Sequence, residues 1–268
     1  MTDITIGFIG AGNMASSIFG GLLAKGIDAS QIWLNDIDAQ RLTALAQEYK
    51  VNTSLNYEEI VPRCDVLVLA VKPQVMEQVC AAITPLLPKP APMVLSIAAG
   101  VTVASLQQWL GQVPVVRVMP NTPALVQTGA SGMFASQEVS QTQRQQAETL
   151  MNSVGQSVWL EQEALMDAVT AVSGSGPAYF FLLMENMIDA AIKLGLDKDT
   201  ATTLVLQTAL GAAKLASQSD VGPGILRERV TSPGGTTQAA LQTFAEGGFS
   251  ELVHRALTSA KQRSEELG

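Results

Sequence analysis

The sequence predicts an α/β protein, with a doubly wound N-terminal domain over residues 1–162 and an all-helical C-terminal domain over residues 163–268. Three observations predict it. From Met1 to about Leu160, short β-rich runs alternate with longer helical ones, as successive βα units do. Runs such as Val66-Leu67-Val68-Leu69-Ala70-Val71 are apolar without a break, which implies burial on both faces and hence a parallel sheet covered by helices. After Leu160 the alternation stops and a helical pattern takes over, with Pro and Gly confined to a few junctions.

Taken in order, strands are expected over Ile4–Ile9, Gln31–Asn35, Val66–Val71, Met93–Ile97, Val113–Met119, Gly132–Ala135 and Ser157–Leu160, each a short β-branched or apolar run. Helices are expected between them over Met14–Lys25, Ala39–Tyr49, Val75–Leu87, Val103–Leu110 and Thr142–Val154. In the C-terminal domain, Ser175-Gly176-Pro177 reads as a helix start with Pro in the first turn, feeding Ala178–Leu194 until Gly195 closes it. Asp197 then caps a helix running to about Ala216, and two more are expected over Thr236–Ala245 and Phe249–Glu266. The helix from Ala178 is apolar almost all round, so it must be buried on most sides. A domain of this size buries it most easily against a second copy, which predicts a homodimer formed by the C-terminal helices.

The bulk numbers narrow the function. At 268 residues and 47% hydrophobic, the chain can build two cores. Its net charge of -8, with no run of Lys or Arg, argues against a nucleic-acid partner. Cys64 and Cys80 are the only cysteines, so a disulfide framework or thiolate metal cluster is not expected, which suits the reducing cytoplasm. The start Met1-Thr2-Asp3-Ile4 lacks a basic leader region, and no apolar run reaches the roughly 20 residues of a membrane span. His254 is the one histidine, so neither a histidine dyad nor a zinc site of histidines is expected.

The first expected strand runs into Gly10-Ala11-Gly12-Asn13-Met14-Ala15 and then an amphipathic helix, the strand–turn–helix context in which GxGxxA binds a dinucleotide. Gly10 allows the tight turn, Gly12 lets the backbone approach a pyrophosphate, and Ala15 is small enough for close helix–strand packing. The helix N-terminus then attracts the phosphates. The second strand ends at Asn35-Asp36, where the adenosine ribose belongs. Asn35 can donate to a 2′-phosphate and Asp36 would repel one, so the choice between NADP and NAD stays open. Asp36 reads equally well as the cap of the next helix. Ala70-Val71-Lys72-Pro73 and Ile97-Ala98-Ala99-Gly100 fall at the carboxyl ends of parallel strands, where ligands bind in such sheets.

These segments, with Arg117-Val118-Met119-Pro120-Asn121-Thr122-Pro123, Ser173-Gly174-Ser175-Gly176-Pro177-Ala178-Tyr179 and Val230-Thr231-Ser232-Pro233-Gly234-Gly235-Thr236-Thr237, resemble the pyrroline-5-carboxylate reductase family along essentially the whole chain. The resemblance implies a soluble oxidoreductase, a homodimer or a higher oligomer, that transfers hydride from NADPH or NADH to 1-pyrroline-5-carboxylate in the last step of proline biosynthesis. Position by position, it implies that Gly10, Ala11, Gly12, Asn13, Met14 and Ala15 hold the pyrophosphate and that Asn35 and Asp36 meet the ribose. Asn56 would lie beside the adenine, while Ala70, Val71, Lys72, Pro73, Ala98 and Ala99 would line the dinucleotide towards the nicotinamide. Many relatives carry Arg or Ser where this chain has Asp36.

The Ser232–Thr237 turn precedes an amphipathic helix, and backbone N–H groups converging at its positive end suit a carboxylate. With the resemblance, Ser232, Gly234, Gly235 and Thr236 would take the substrate carboxylate, the Thr237 hydroxyl its ring nitrogen, and Asn121 a further substrate contact; from the residues alone, a plain helix cap reads better. Thr237 and Lys72 are the candidate catalytic residues. Glu163 and Asp220 are acids that relatives also carry near the site, though each alone reads better as a solvated acid. Reduction of an imine asks little of acid–base groups, leaving the protein the work of positioning, about 7 to 11 kcal/mol in good cases. The competing readings are a hydroxy-acid dehydrogenase or imine reductase of the same plan, or a non-catalytic dinucleotide sensor, which would not need the Ser232–Thr237 turn.

Overall fold

A computed structural model describes residues 4–267; the start at Met1-Thr2-Asp3, read above as leader-free, and Gly268 lie outside the described residues. The chain divides into two compact units, one formed by Met1–Ser175 with Ala260–Gly268 and one by Gly176–Ser259. The first is built on an eight-stranded sheet. Its strands are β1 (Ile6–Ile9), β2 (Ile32–Asn35), β3 (Asn52–Ser54), β4 (Val66–Leu69), β5 (Met93–Ser96), β6 (Val115–Met119), β7 (Gly129–Ala135) and β8 (Gly155–Trp159). They lie in the order β3-β2-β1-β4-β5-β6-β7-β8. The order reverses between β1 and β4, which makes the crevice at their carboxyl ends the ligand position of a doubly wound sheet.

The helices of this unit are α1 (Asn13–Ala24), α2 (Ala39–Tyr49), α3 (Met76–Ile83), α4 (Val103–Leu110), α5 (Gln141–Met151) and the short α6 (Met166–Val169). Side chains alternate across β1: Ile6 and Phe8 join one core with Ile18, Phe19, Leu42 and Leu150, while Ile9 joins another with Met76, Ile83 and Leu106. Both faces of the sheet are therefore covered, and β1 is fully enclosed. Each such side chain contributes about 1.5–3 kcal/mol on burial. Phe19 packs edge-on against both Phe8 and Tyr49, fixing α1 over the sheet.

The structure departs from expectation in four places. The sheet is not parallel throughout: β7 runs antiparallel to β6, with Met119 opposite Gly132. The link between them holds only the turn Thr122–Val126, too short for a crossover helix, so the chain must return alongside. Strand β3 escapes the sequence reading because its three residues, Asn52–Ser54, are polar. Third, the expected helix Val75–Leu87 is shorter as an α-helix, with 3-10 turns at Pro73–Val75 and Thr84–Leu86 where prolines interrupt it. Fourth, the helix expected from Ser175-Gly176-Pro177 starts there, at Gly176, but α6 and a π-helical turn, Thr170–Gly174, precede it, and the Ser175 N–H donates to the Thr170 carbonyl. Residues 163–175 group with the sheet unit rather than with the helices that follow. The Val169 side chain fills the space that a Cβ on Gly132 of β7 would need.

The second unit holds α7 (Gly176–Lys193), α8 (Lys198–Ser217), α9 (Pro223–Arg229), α10 (Thr236–Glu246) and most of α11 (Phe249–Leu267). Gly195 takes a left-handed φ of 102° after α7, and the Asp197 carboxylate accepts the Thr200 N–H to cap α8. Helices α7 and α8 pack on each other. Helix α9 was not foreseen, since Gly222-Pro223-Gly224 reads as a turn although Pro223 suits a first helical turn. The apolar residues of α7 are not covered in the single chain: Phe180 is 65% and Phe181 63% exposed. No helix of the described residues is long and apolar enough to cross a membrane.

Candidate active site

The glycine turn after β1 is held by backbone and carboxylate together. Gly10 has φ +95°, and a Cβ there would stand 2.8 Å from the Ala70 carbonyl oxygen at the end of β4, so the position admits only glycine. Its N–H donates to the Asn35 carbonyl at the end of β2. The Ala11 N–H donates to Asp36 Oδ2 at 2.8 Å, and the Arg41 guanidinium reaches the Ala11 carbonyl at 3.4 Å. Gly12 is the N-cap of α1 with extended backbone (φ -70°, ψ -179°), no side chain caps the helix, and its first turn contains no acid. A Cβ on Gly12 would meet only the Arg41 guanidinium, 3.9 Å away. With the Gly10 and Ala11 amides taken, the turn offers the uncapped amides at the start of α1, a first helical turn without an acid, and open space above Gly12, which fits a pyrophosphate. Asn13 is exposed, Met14 half-buried, and Ala15 is buried in the core, as close helix–strand packing requires.

The residues at the other strand ends are placed as a doubly wound site requires. Ala70, Val71, Lys72 and Pro73 follow β4, with the Ala70 N–H donating to the Ile9 carbonyl; Lys72 is exposed and pairs with no acid among the described residues. Ala98 is buried and Ala99 exposed just past β5. Asn56, exposed beyond β3, donates to Glu59. Asn35 is buried, and its side-chain amide donates to the Ser54 carbonyl at 3.0 Å, tying β2 to β3. The alternative of Asp36 as a helix cap is overturned: Asp38 caps α2, accepting from Gln40 and Arg41, while Asp36 turns back onto the glycine turn. Arg41 was missed, because a basic residue in a first helical turn carries no sequence signal by itself.

The Ser232–Thr237 turn has the same local design. Gly234 takes φ +71°, Gly235 donates to the Ser232 carbonyl, and Gly235 is the N-cap of α10 with extended backbone (φ -83°, ψ 172°). No side chain caps α10 and no acid lies in its first turn. The Gly234 N–H donates to the Gln238 side chain, and the Thr237 hydroxyl has no partner among the described residues. Capping by the threonines, the alternative reading of this turn, is thus not what the chain does. By contrast α2, α4, α5 and α8 start on Asp38, Thr102, Ser140 and Asp197, each with a side chain accepting a first-turn N–H.

Over its full length, the chain is 54% identical to the pyrroline-5-carboxylate reductase of Pseudomonas aeruginosa, covering 98% of that protein. The chain belongs to the pyrroline-5-carboxylate reductase family. Residues 163–267 match the family model described as pyrroline-5-carboxylate reductase dimerisation, and residues 5–100 match one described as NADP oxidoreductase, coenzyme F420-dependent. The solved pyrroline-5-carboxylate reductase of Coxiella burnetii superposes with a TM-score of 0.96 at 41% identity, covering 99% of this chain and 98% of that one. The Plasmodium falciparum enzyme, solved with NADP bound, gives 0.86 at 31% identity, with 100% and 99% covered.

Several residues near the expected site prove structural within this chain. Asn121 donates to the Ser173 carbonyl in the π-helical turn and accepts the Ala130 N–H, so its amide bridges β7 and that turn. Arg117 on β6 is buried and pairs at 2.8 Å with Glu163, which also accepts the Val103 N–H at the start of α4. That bond network, not solvation, is where the Glu163 carboxylate goes. Burial pushes the Cys64 thiol up to about 12 and that of Cys80 to about 11, so neither supplies a nucleophile near neutral pH. Among the described residues no group of three or more His, Cys, Asp or Glu could hold a metal ion.

Proposed function

We infer that the protein is a pyrroline-5-carboxylate reductase, transferring hydride from NADPH or NADH to the C=N bond of 1-pyrroline-5-carboxylate to give L-proline, the last step of proline biosynthesis. Three helices, α1, α9 and α10, start on an extended glycine with no side-chain cap and no acid in the first turn, and Pro223 removes an amide donor from the start of α9; the observation that carries this reading is the two starts that keep their donors, one after β1 and one at α10, in a chain that matches its relatives from end to end. A dinucleotide takes the first and the substrate carboxylate the second. NADP is the favoured cofactor, in keeping with the NADP-bound relative, and NAD is the alternative. In this assignment the domain of residues 1–162 holds the dinucleotide, and residues 163–268 supply the substrate turn and a homodimer interface.

The bound cofactor supplies hydride; the chain positions. Gly10–Ala15 hold the pyrophosphate with backbone amides and the α1 N-terminus, and Ala70, Val71, Lys72, Pro73, Ala98 and Ala99 flank the nicotinamide half. Ser232, Gly234, Gly235 and Thr236 hold the carboxylate through the α10 N-terminus, and the Thr237 hydroxyl bonds the ring nitrogen, which takes a proton from water while its carbon gains the hydride. Asn121 shapes the substrate side through its bridge to Ser173. Lys72, exposed and unpaired among the described residues, contributes positive charge beside the cofactor. The cysteines, both free, and the net charge of -8 suit a cytoplasmic enzyme acting on a small molecule.

Following nicotinamide absorbance with 1-pyrroline-5-carboxylate tests the assignment. Oxidation of either reduced cofactor, with proline as product, is expected; no turnover with either would return the chain to a hydroxy-acid dehydrogenase or a dinucleotide sensor.

A further inference from the structure

Resting on the assignment of the Ser232–Thr237 turn to the substrate carboxylate, we propose that the Gln238 side chain is a placeholder for that carboxylate. Its amide oxygen holds the Gly234 N–H in the empty turn and yields it when the acid arrives, so Gln238 sets how tightly the substrate is held. The Gly234 N–H donates to Gln238 Oε1, from the residue before the cap of α10 to its first turn. The Gly235 N–H closes the turn on the Ser232 carbonyl at 3.0 Å, and a backbone bond of 3.2 Å from the Ala239 N–H to the Gly235 carbonyl opens the helical ladder. The N–H groups of Thr236, Thr237 and Gln238 lie ahead of that ladder and have no intrahelical partner. A neutral amide oxygen therefore sits at a helix start whose field favours an anion.

This bond is not half of a capping box. In a box the residue at the third helical position bonds the cap amide and the cap hydroxyl returns the bond, as Gln143 and Ser140 do at α5. Here the cap is Gly235, which has no hydroxyl, and the amide taken belongs to the residue before it. At α1 the third helical position is Ala15, which offers no acceptor, so the device belongs to the substrate turn alone. Release costs little. Gln238 is exposed, and it lines a cavity of about 830 Å³ with Arg227 and Glu228 of α9, where the freed amide has polar neighbours. A carboxylate bonds backbone amides roughly twice as strongly as a neutral oxygen does, so the substrate displaces the side chain.

Gln238→Met keeps the length and helix preference of the side chain and removes the acceptor. Two constants are read: KM for 1-pyrroline-5-carboxylate, and the dissociation constant of L-proline by calorimetry with oxidised cofactor bound. Both should fall by about two- to tenfold, the range one intramolecular hydrogen bond spans. Gln238→Ala should move them in the same direction. Gln238→Glu brings a second carboxylate within reach of the turn, and both constants should rise about tenfold or more. Constants that stay level or rise in Gln238→Met and Gln238→Ala, as a purely capping role requires, or that fall in Gln238→Glu, overturn the proposal while native turnover leaves the substrate assignment standing. A native chain that neither reduces the imine nor binds L-proline overturns that assignment, and the proposal with it.

Discussion

The starts of α1 and α10 share one local design in two different settings. Both begin on an extended glycine, Gly12 and Gly235, with no side-chain cap and no acid in the first turn. Around α1 the unit supplies its own walls: Ala11, Ala15, Ile18 and Phe19 are buried, and Asp36 grips the turn. Helix α10 has no buried residue at all. An anion-binding turn backed by a finished core is preorganised within one chain, whereas one on an open helix must gain its enclosure from elsewhere. In the proposed homodimer that enclosure comes with the second copy, which also covers Phe180 and Phe181 of α7.

The most severe way to break this contrast is to keep the second copy away. Phe181→Glu should raise the dimer dissociation constant by at least about a hundredfold, since a buried Phe contributes roughly 1.5–3 kcal/mol and is lost in both subunits. Sedimentation would show monomer, and turnover should fall with it. Gly12→Val attacks the other turn alone: its side chain enters the space kept for the pyrophosphate, so dinucleotide affinity should drop about a hundredfold while the dimer persists. Titration beside sedimentation separates the two cases. Thr237→Ala sharpens the contrast at the substrate turn, with a fall in kcat of about tenfold expected; an unchanged kcat removes the hydroxyl from the mechanism. The smallest effect belongs to Glu163→Gln, which keeps an oxygen for the Val103 N–H but removes the partner charge of Arg117. A loss of about 1 kcal/mol in denaturant unfolding is expected for this partly buried carboxylate, with the cofactor affinities unaffected.

The sequence made the first unit legible because its signals are local. An unbroken apolar run must lie inside a covered sheet, and Gly10-Ala11-Gly12 between a strand and a helix has few other uses. Strand β3 and the reversal at β7 were hidden because each is decided by neighbours, β3 by pairing with β2 and β7 by the short link from β6. The site divides in the same way. The glycines of both turns stand out in the sequence, but that Asp36 would face Ala11 while Asp38 caps α2 depends on where β2 ends beside β1, which no residue announces. Asn121 reads as a substrate contact and Glu163 alone as a solvated acid, and in the chain both hold the site's surroundings together.

The central claim is that these two turns serve a single hydride transfer. It is tested most directly by a crystal structure of the dimer with oxidised cofactor and proline bound. The account predicts the pyrophosphate on the Gly10–Ala15 amides, the proline carboxylate on the α10 N-terminus, and the nicotinamide stacked within about 3–3.5 Å of the ring carbon next to nitrogen. Proline bound away from Gly234 and Gly235, or those glycines far from the nicotinamide in both subunits, would contradict it.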